Sequence, residues 1–222
     1  MKSIFITGTD TGVGKTRVSC ALMRQLIAQG YRVAGMKPVS SGAHHHAGKL
    51  VNEDTQHLIA TANVAVPYES INPYCFETAI APHIAAQQAG VTISLDVIGR
   101  AYQQLSAVAD VVVVEGVGGW AVPINATQTM ADVAVMLNLP VIMVVGMRLG
   151  CLNHALLTAQ SILTSPLQFC GWVANTLDPM MPALTENIDA LKAITSAPLI
   201  GVMPYHPTTS QAEDINFEIS CL

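Results

Sequence analysis

Residues 4–16 read Ile4-Phe5-Ile6-Thr7-Gly8-Thr9-Asp10-Thr11-Gly12-Val13-Gly14-Lys15-Thr16. This stretch is typical of a strand, a glycine-bearing loop and the start of a helix, which is the context that a phosphate-binding loop requires. Gly12 and Gly14 would let backbone N–H groups turn toward a phosphate, and the positive end of the following helix adds to the attraction. Lys15 would lie against the β- and γ-phosphates, and Thr16 would face the Mg²⁺ that bridges them. The stretch therefore predicts binding of a nucleoside triphosphate with Mg²⁺.

The loop departs in one respect from the usual phosphate-loop motif. Its first glycine, Gly8, lies six positions before Gly14, whereas the pattern G-x-x-x-x-G-K-[ST] puts it five before, at Thr9. The alternative is a glycine-rich turn that binds nothing. An intact Gly-Lys-Thr between a strand and a helix makes that alternative the weaker one.

A second strand, Asp110-Val111-Val112-Val113-Val114-Glu115-Gly116, delivers a carboxylate at its end. Ligands bind at the carboxyl edge of open α/β sheets, so Glu115 is placed to help hold Mg²⁺ beside the phosphate loop. The alternative is a carboxylate that only caps the following turn. The glycines of Gly116-Val117-Gly118-Gly119 favour the ligand site, because they permit close approach of the backbone to a ligand.

A third strand ends in Met36-Lys37-Pro38 and is followed by Val39-Ser40-Ser41-Gly42. A lysine after an apolar strand is ordinarily a solvated charge. Because Lys15 and Glu115 are expected at the same sheet edge, the functional interpretation of Lys37 is a second cation near a transferred phosphoryl group. Local sequence alone leaves both interpretations open.

The rest of the chain alternates short Val- and Ile-rich runs with helical periodicity. The runs predict strands at 3–7, 32–37, 111–115, 140–145, 170–174 and 199–203. Helices are predicted at 15–28, 54–62, 94–108, 129–137 and 152–164, and one more is marked by Leu184, Ile188, Leu191 and Ile194. This alternation predicts an α/β fold with a doubly wound, mainly parallel sheet and helices on both faces, the P-loop NTPase fold. At 222 residues, we expect a single nucleotide-binding domain over 1–222.

Composition limits the partners of this chain. Hydrophobic residues make up 51% and charged residues 11%, so much of the surface is uncharged and part of it is expected at a subunit interface. The formal net charge is −5 and Lys and Arg form no cluster, which argues against nucleic acid and membrane surfaces as partners. The apolar runs are too short to span a bilayer, and no secretory h-region is expected near the N-terminus.

The cysteines form no C-x-x-C pair and show no regular spacing. They are Cys20, Cys75, Cys151, Cys170 and Cys221. This pattern predicts neither a disulfide framework nor a zinc site. We expect free thiols and a reducing, cytoplasmic location.

Residues 40–52 are rich in Ser, Gly, Ala and His and predict a loop. His44, His45 and His46 are metal-ligating residue types. Adjacent residues in an extended segment point in different directions, however, so the three histidines cannot easily share one ion. The favoured interpretation is a solvated loop.

Three longer motifs and several short ones carry a family resemblance. The longer ones are residues 8–16, 37–42 and 115–120, and the short ones are Asn72-Pro73-Tyr74, Ala81-Pro82-His83, Gly150-Cys151-Leu152-Asn153-His154-Ala155, Gly171-Trp172-Val173-Ala174-Asn175 and Gly201-Val202-Met203-Pro204. In this order and spacing the chain resembles the dethiobiotin synthetase family. The matches cover nearly the whole chain and are far more specific than the phosphate loop alone.

The resemblance implies an ATP- and Mg²⁺-dependent cyclo-ligase. In the implied reaction, 7,8-diaminononanoate takes up CO₂ as a carbamate, ATP phosphorylates the carbamate, and the neighbouring amine closes the cyclic urea. The products would be dethiobiotin, ADP and phosphate. The resemblance also implies a homodimer with shared active sites.

Roles for single residues follow from the resemblance. Lys15 and Lys37 would stabilise the carbamate and the γ-phosphoryl group, and Thr11 would lie beside them. The Mg²⁺ ligands would be Thr16, Asp54 and Glu115. Of these, Asp54 carries no signal of its own in the sequence.

The resemblance assigns further residues to the nucleotide and to the diamine. The nucleotide would contact Gly12, Val13, Gly14, Lys15, Thr16, Asp54, Glu115, Gly116, Val117, Gly118, Asn175, Thr176, Pro204, Tyr205 and His206. The diamine would contact Ser41, Cys151 and Asn153. Asn153 would reach the substrate of the neighbouring subunit, although its simpler alternative is a helix N-cap. The alternative for Asn175 is a turn residue at a strand end.

One departure and two alternatives remain. Gly12 stands where some family members have a Glu that can touch the nucleotide, which leaves the nucleotide preference open. An ATP enzyme of the cobyrinate amidase type also phosphorylates a carboxylate, but it usually carries a glutaminase domain for which this chain has no room. A ParA- or MinD-like nucleotide switch usually has a second lysine in its phosphate loop, which Thr9-Asp10-Thr11 lacks, and residues 214–222 form no basic amphipathic anchor.

Overall fold

A six-stranded parallel sheet organises the chain in the computed structural model, which describes residues 3–206, 215–219 and 221. In chain order the elements are β1 (Ile4–Gly8), α1 (Lys15–Ala28), β2 (Val33–Met36), β3 (Val39–Ser40), β4 (His44–His46), β5 (Lys49–Val51), α2 (Glu53–Thr61), α3 (Tyr68–Ile71), β6 (Tyr74–Cys75), α4 (Pro82–Gln88), α5 (Leu95–Ser106), β7 (Val111–Glu115), α6 (Met130–Leu137), β8 (Val141–Met147), α7 (Cys151–Leu163), β9 (Phe169–Thr176), α8 (Leu184–Ile194) and β10 (Leu199–Met203). The strand order is β10-β9-β8-β1-β7-β2. Because β1 lies between β8 and β7, the phosphate loop leaves from the interior of the sheet at its carboxyl edge.

Alternating strand residues pack into two layers, one on each face of the sheet. On one face, Phe5 and Val114 pack in a core that includes residues of α5, α6, α7 and α8. On the other face, Ile4 and Val113 pack with α1 and with Leu58 of α2. Strands covered on both faces are apolar throughout, which explains the unbroken valines of β7.

The predicted α/β fold is confirmed. The six predicted strands and six predicted helices are present, each within two residues of its predicted ends. Apolar runs and helical spacing are strong where an element packs directly on the sheet. The short helices α3 and α4 and the short strands β3 and β6 were not predicted, because elements of seven residues or fewer, here as few as two, are too short to show a clear period. Within the described residues, no helix is long and apolar enough to cross a membrane.

The prediction of a loop over 40–52 is wrong in part. β4 and β5 form an antiparallel hairpin in which His45 lies opposite Leu50. Ala47 and Gly48 turn the chain with positive φ of 49° and 77°, as tight hairpins require. The Ser-, Gly- and Ala-rich composition of residues 40–52 is typical of a loop, so it did not predict the pairing of β4 with β5. The three histidines are exposed, and the described residues include no group of three His, Cys, Asp or Glu side chains placed to hold a metal.

The prediction of free thiols is wrong for one pair of cysteines. Cys170 in β9 and Cys221 form a disulfide, with Cα atoms 5.9 Å apart. Residues 215–219 return across α1, where Gln25 exchanges hydrogen bonds of 3.0 and 2.8 Å with the backbone of Phe217. The two cysteines are 51 positions apart in the sequence, so no local pattern predicts their pairing. The thiols that are free, as predicted, are Cys20, Cys75 and Cys151.

A substitution at Gly35 in β2 tests how closely α2 packs on the sheet. A Cβ at Gly35 would lie 2.7 Å from the Cβ of the fully buried Leu58. We expect Gly35→Ala to lower the free energy of unfolding by about 1–3 kcal/mol, because strand and helix must separate. Gly99→Ala in α5 is the control, since its Cβ would meet Met136 Sδ at an ordinary 3.5 Å. Urea unfolding checks both variants, and equal stabilities would contradict the packing.

Candidate active site at the carboxyl edge of the sheet

The phosphate loop, residues 8–14, depends on two glycines. Gly12 and Gly14 have positive φ of 72° and 88°, and Gly14 is the N-cap of α1. A Cβ at Gly14 would also lie 2.1 Å from Nδ2 of Asn175. Because a glycine cap has no side chain to accept from the first N–H groups of α1, those donors remain for an anion.

Lys15 lies against this loop and is almost fully buried. Its Nζ donates to the carbonyl oxygens of Asp10 at 2.9 Å and Gly118 at 2.6 Å. Desolvation, followed by repulsion from Lys37, lowers the pKa of Lys15 to about 8 against the opposing attraction of nearby carboxylates. A polyphosphate bound in the loop would favour the charged form.

Lys37 follows β2 directly and belongs to a buried ion cluster. Its Nζ lies 2.6 Å from Glu115 Oε1 and 2.8 Å from Asp54 Oδ2, and the lysine side chain is only 3% exposed. Burial disfavours the ammonium, but attraction to Glu115 and Asp54 outweighs it and raises the pKa of Lys37. Burial likewise opposes ionisation of Asp54, but Lys37 lowers the pKa of that carboxyl. The alternative of a solvated surface lysine is therefore wrong.

The Thr16 hydroxyl lies beside the same carboxylates. Its Oγ1 is 2.8 Å from both Asp54 Oδ1 and Glu115 Oε1. Glu115 Oε2 is buried and has no hydrogen-bond donor among the described residues, a costly situation for a carboxylate oxygen. Threonine and carboxylate oxygens are ligand types that Mg²⁺ prefers. A bound cation would also compensate the buried Glu115 Oε2. The structure therefore brings the three predicted Mg²⁺ ligands together in an arrangement that suits the ion.

The position of Asp54 follows from how α2 begins. Asn52 is the N-cap, and its Oδ1 accepts from the Thr55 backbone N–H at 3.2 Å. Tyr68 supports the cap, since its hydroxyl accepts from the Asn52 backbone N–H at 3.0 Å. Asp54 therefore lies in the first helical turn, facing Thr16 of α1.

A cavity of about 550 Å³ opens beside these groups. The predicted residues that line it are Thr11, Gly12, Gly14, Lys15, Thr16, Lys37, Ser41, Asp54, Val117 and Gly118. An apolar wall that the sequence did not predict is formed by Ala79, Ile80, Ala81, Pro82 and Val122. The only signal for this wall was the family match at Ala81-Pro82-His83, which carried no role. One end of the cavity is thus charged, and one of its sides is apolar.

Besides the residues predicted to receive the base, three predicted nucleotide contacts are not among those that line the cavity, namely Glu115, Val13 and Gly116. Val13 is buried beneath the phosphate loop, and its carbonyl accepts from Asn175 Nδ2 at 2.8 Å. The Gly116 carbonyl lies 3.4 Å from Lys37 Nζ. The backbone carbonyls of Val13 and Gly116 are thus engaged by Asn175 and Lys37 of the same chain.

The residues predicted to receive the base lie at the ends of two strands, outside that cavity. Asn175 and Thr176 end β9, and after β10 come Pro204, Tyr205 and His206. Arg17 Nη1 donates to Asn175 Oδ1 at 3.2 Å and to the Pro204 carbonyl at 2.7 Å. Asn175 belongs to a strand, so the turn-residue alternative is wrong. Arg17 was not predicted, because nothing in its local sequence marks it.

Cys151 and Asn153 lie in the first turn of α7, apart from the cavity of their own chain. Gly150, with φ of 91°, is the N-cap of this helix. The alternative that Asn153 caps α7 is therefore wrong. Cys151 is buried and Asn153 is exposed, and the preceding Leu149 is fully exposed.

Asp10 connects the phosphate loop to the segment before α7. Its carboxylate pairs with Arg148, and Oδ1 accepts from the Thr11 backbone N–H at 2.7 Å. The Thr11 hydrogen bond, together with Arg148, lowers the pKa of Asp10 although partial burial acts against it. An exposed ion pair thus links the phosphate loop to the segment that precedes α7.

Comparison with known proteins decides the family. A family model described as an AAA domain matches residues 2–213. The ATP-dependent dethiobiotin synthetase BioD of Xylella fastidiosa (strain 9a5c) is 47% identical over 207 residues, which cover 93% of this chain and 92% of the relative. The protein of the same name from Nitrosospira multiformis is 48% identical over 204 residues, with 92% and 88% covered. The chain belongs to the ATP-dependent dethiobiotin synthetase family. The resemblance predicted from the motifs is confirmed.

Solved structures show that the fold reaches beyond dethiobiotin synthetases. The septum site-determining protein MinD of Pyrococcus horikoshii, complexed with Mg-ADP, aligns with a TM-score of 0.56 at 16% identity, covering 93% of this chain and 82% of that one. MinD of Aquifex aeolicus aligns at 0.55 and 14% identity, covering 93% and 84%. At such identities the likeness shows the P-loop NTPase fold alone.

The ion cluster generates a prediction for stability in the absence of Mg²⁺. We expect Lys37→Met to lower the free energy of unfolding by about 3 kcal/mol, because it leaves the buried Glu115 carboxylate without its cation. Combining it with Glu115→Gln removes that charge and should recover about 1 kcal/mol or more. Urea unfolding of the single and double variants in chelator completes the cycle. Strictly additive losses would show that the two side chains do not interact.

Proposed function

We propose that this chain joins 7,8-diaminononanoate and CO₂ to form dethiobiotin, with conversion of ATP to ADP and phosphate. Membership in the family supports the overall reaction. The observation that carries the assignment of roles is the placement of two buried cations, Lys15 and Lys37, at the charged end of one cavity. The apolar side of that cavity suits the methylene chain of the diamine.

The obstacle in this reaction is electrostatic. A carbamate and a triphosphate are both anionic, so they repel each other unless cations lie between them. We assign Lys15 to the phosphates at the loop and Lys37 to the carbamate and the γ-phosphoryl group. Asp54 and Glu115 keep Lys37 charged, so it is ready for an anion. Thr11, at the cavity edge, is assigned a hydrogen bond to the carbamate.

The bonds change in three steps. One amine of the diamine attacks CO₂ and loses a proton, which gives the carbamate. A carbamate oxygen then attacks the γ-phosphorus as the bond to ADP breaks, and no general base is needed because that oxygen is already anionic. The second amine finally attacks the carbonyl carbon, phosphate leaves with the bridging oxygen, and the amine loses a proton as the urea ring closes. Ser41, on the cavity wall, is assigned to orient the diamine.

Thr16, Asp54 and Glu115 are proposed to hold Mg²⁺. Their oxygens converge, and Glu115 Oε2 lacks a donor among the described residues. Bound there, Mg²⁺ would supply positive charge to the β- and γ-phosphates. Thr16 would then offer its oxygen lone pair instead of its hydrogen.

The remaining nucleotide contacts follow from position. Backbone groups of residues 12–14 would hold the phosphates, and we assign further nucleotide contacts to Val117 and Gly118, which line the same cavity, and to the adjacent Gly116. We place the adenine at Asn175 and Pro204, next to Thr176, Tyr205 and His206. The acceptors at this edge, Asn175 Oδ1 and the Pro204 carbonyl, suit the amino group of adenine.

We further propose a homodimer in which each site uses both chains. Leu149 is fully exposed and Leu157, on α7, is 60% exposed, which is unfavourable unless another surface covers them. Leu157 and the phosphate-loop residues 9–11 line one surface cavity. A two-fold contact there would bring Cys151 and Asn153 of one chain toward the cavity of the other. Asn153 is assigned to the substrate carboxylate.

The small molecules ATP, bicarbonate and the diamine are the proposed partners. The net charge of −5 disfavours a nucleic acid or an anionic membrane. We assign the enzyme to the cytoplasm, where the ATP that it consumes is made available.

The reaction predicts that ADP release requires both diamine and bicarbonate. Without the diamine no carbamate forms, so ATP has no acceptor and the rate of ADP release should fall to background.

Lys37→Ala should bind ATP in calorimetry yet turn over roughly a hundredfold more slowly, because Lys37 acts on charge that develops during transfer. Vigorous ATP hydrolysis that is unchanged by the diamine would contradict the ligase, and full turnover by Lys37→Ala would contradict the role of Lys37.

The shared site predicts complementation between two inactive variants. Lys37→Ala in one chain and Asn153→Ala in the other put both defects into one site and leave the second site intact. Mixed dimers should regain up to about half of the wild-type activity per dimer. Size-exclusion chromatography checks that the parents and mixtures are dimers. Mixed dimers that remain as inactive as either parent would place Lys37 and Asn153 in the same chain's site.

A further inference from the structure

Arg17 is a buried cation in the first turn of α1, directly after Thr16. The residue is only 8% exposed. Burying a guanidinium costs free energy unless its donors find acceptors, and hydrogen bonds from a charged donor are strong. Two acceptors described for Arg17, which lie at strand ends, therefore indicate one role for this residue.

One nitrogen of Arg17 bridges the ends of two strands. Nη1 donates to the Pro204 carbonyl at 2.7 Å and to Asn175 Oδ1 at 3.2 Å. Since Nη1 carries two hydrogens, it can satisfy both acceptors at once. Asn175 lies at the end of β9, and Pro204 follows β10. Arg17 thus sets the spacing and direction of two acceptors that belong to different strands.

The amide of Asn175 is held from its other side by the phosphate loop. Its Nδ2 donates to the Val13 carbonyl at 2.8 Å, and the missing side chain of Gly14 leaves room for it. A reversed amide would set its NH₂ against the Arg17 guanidinium and its oxygen against the Val13 carbonyl. The first contact would oppose two donors and the second two acceptors, so the hydrogen bonds permit only one orientation of the amide. Oδ1 is therefore fixed as the group that faces Arg17.

We infer that Arg17 is a positioning residue that sets the preference for a purine base with a 6-amino group. The inference rests on the proposed placement of the base at Asn175 and Pro204. Asn175 Oδ1 and the Pro204 carbonyl oxygen each have two lone pairs. Arg17 donates to one lone pair of each oxygen, so the second lone pair of each can accept from the base. An amino group donates to them, whereas a 6-oxo group brings a third acceptor and leaves the site unpaired.

A direct contact is the competing interpretation. The Arg17 guanidinium would then donate to the 6-oxo group of hypoxanthine or guanine, and the site would favour those bases. The two interpretations predict opposite changes when the guanidinium is removed. A positioning role loses affinity for ATP, and a direct contact loses affinity for the oxo nucleotide.

The experiment compares ATP with inosine triphosphate, whose base has a 6-oxo group. Calorimetry with Mg²⁺ measures binding of each to the wild type and to Arg17→Met. We expect the variant to bind ATP about tenfold more weakly and inosine triphosphate with less than about a twofold change, as the loss of one or two net hydrogen bonds implies. In steady state the KM for ATP should rise while kcat stays nearly unchanged. Arg24→Met, on the same helix, is the matched control and should keep the wild-type ratio.

A double variant tests whether Arg17 acts through Asn175. Asn175→Ala removes the amide that Arg17 orients. Adding Arg17→Met to it should therefore cost little further ATP affinity, although Arg17→Met alone costs about tenfold. Fully additive losses would mean that Arg17 acts independently of Asn175 and would overturn the inference.

Other outcomes also decide the matter. An unchanged ratio of ATP to inosine triphosphate affinity in Arg17→Met would overturn the positioning role, and a selective loss of inosine triphosphate would establish the direct contact instead. If Arg17→Met does not fold, Arg17→Lys keeps the charge without the planar fork and should lower the ratio by a smaller factor. Failure of the proposed reaction is distinguishable, because the wild type would form no dethiobiotin while the ratio still responded to Arg17.

Discussion

The buried pairing of Lys37 with Glu115 and Asp54 is the interaction on which the rest of the site depends. It joins the ends of β2 and β7 to the start of α2, and Thr16 of α1 contacts both carboxylates. Without the lysine, the buried Glu115 would lack a cation in the metal-free protein, and without the carboxylates burial would neutralise the lysine. The substrates therefore meet a site in which both signs of charge are already placed, so little reorganisation is needed when phosphoryl transfer begins.

The phosphate loop also contacts the strand end at which the base is proposed to bind. Gly14 caps α1 and also leaves space for Asn175, whose amide is held by the Val13 carbonyl and by Arg17. A change at the proposed base-binding edge would consequently alter contacts of the loop that is proposed to hold the phosphates. On its other side the loop is tied through Asp10 to Arg148, just before α7. Contacts at the proposed dimer surface are thus connected to the phosphate loop by a short chain of polar groups.

Features encoded by adjacent residues could be predicted, and features that depend on distant residues could not. The phosphate loop, the valine-rich β7 and the carboxylate at its end follow from local pattern and from the rule that ligands bind at the carboxyl edge. Asp54 reached the metal-ligand set only through the family resemblance, because its position depends on where α2 begins. Arg17 was not predicted, since the two acceptors described for it lie on β9 and directly after β10. The disulfide between Cys170 and Cys221 was missed for the same reason.

The central claim is that a carbamate formed in the cavity accepts the γ-phosphoryl group. Its direct test is a short reaction with ATP, Mg²⁺, diamine and CO₂ that carries ¹⁸O in both oxygens, followed by mass spectrometry of both products. One oxygen of the carbamate becomes the bridge to phosphorus and leaves with phosphate, while the other stays in the urea. The proposed mechanism predicts one ¹⁸O in phosphate and one in dethiobiotin for each turnover. Phosphate without ¹⁸O would show that the phosphoryl group passes to water or to another acceptor, and would contradict this mechanism.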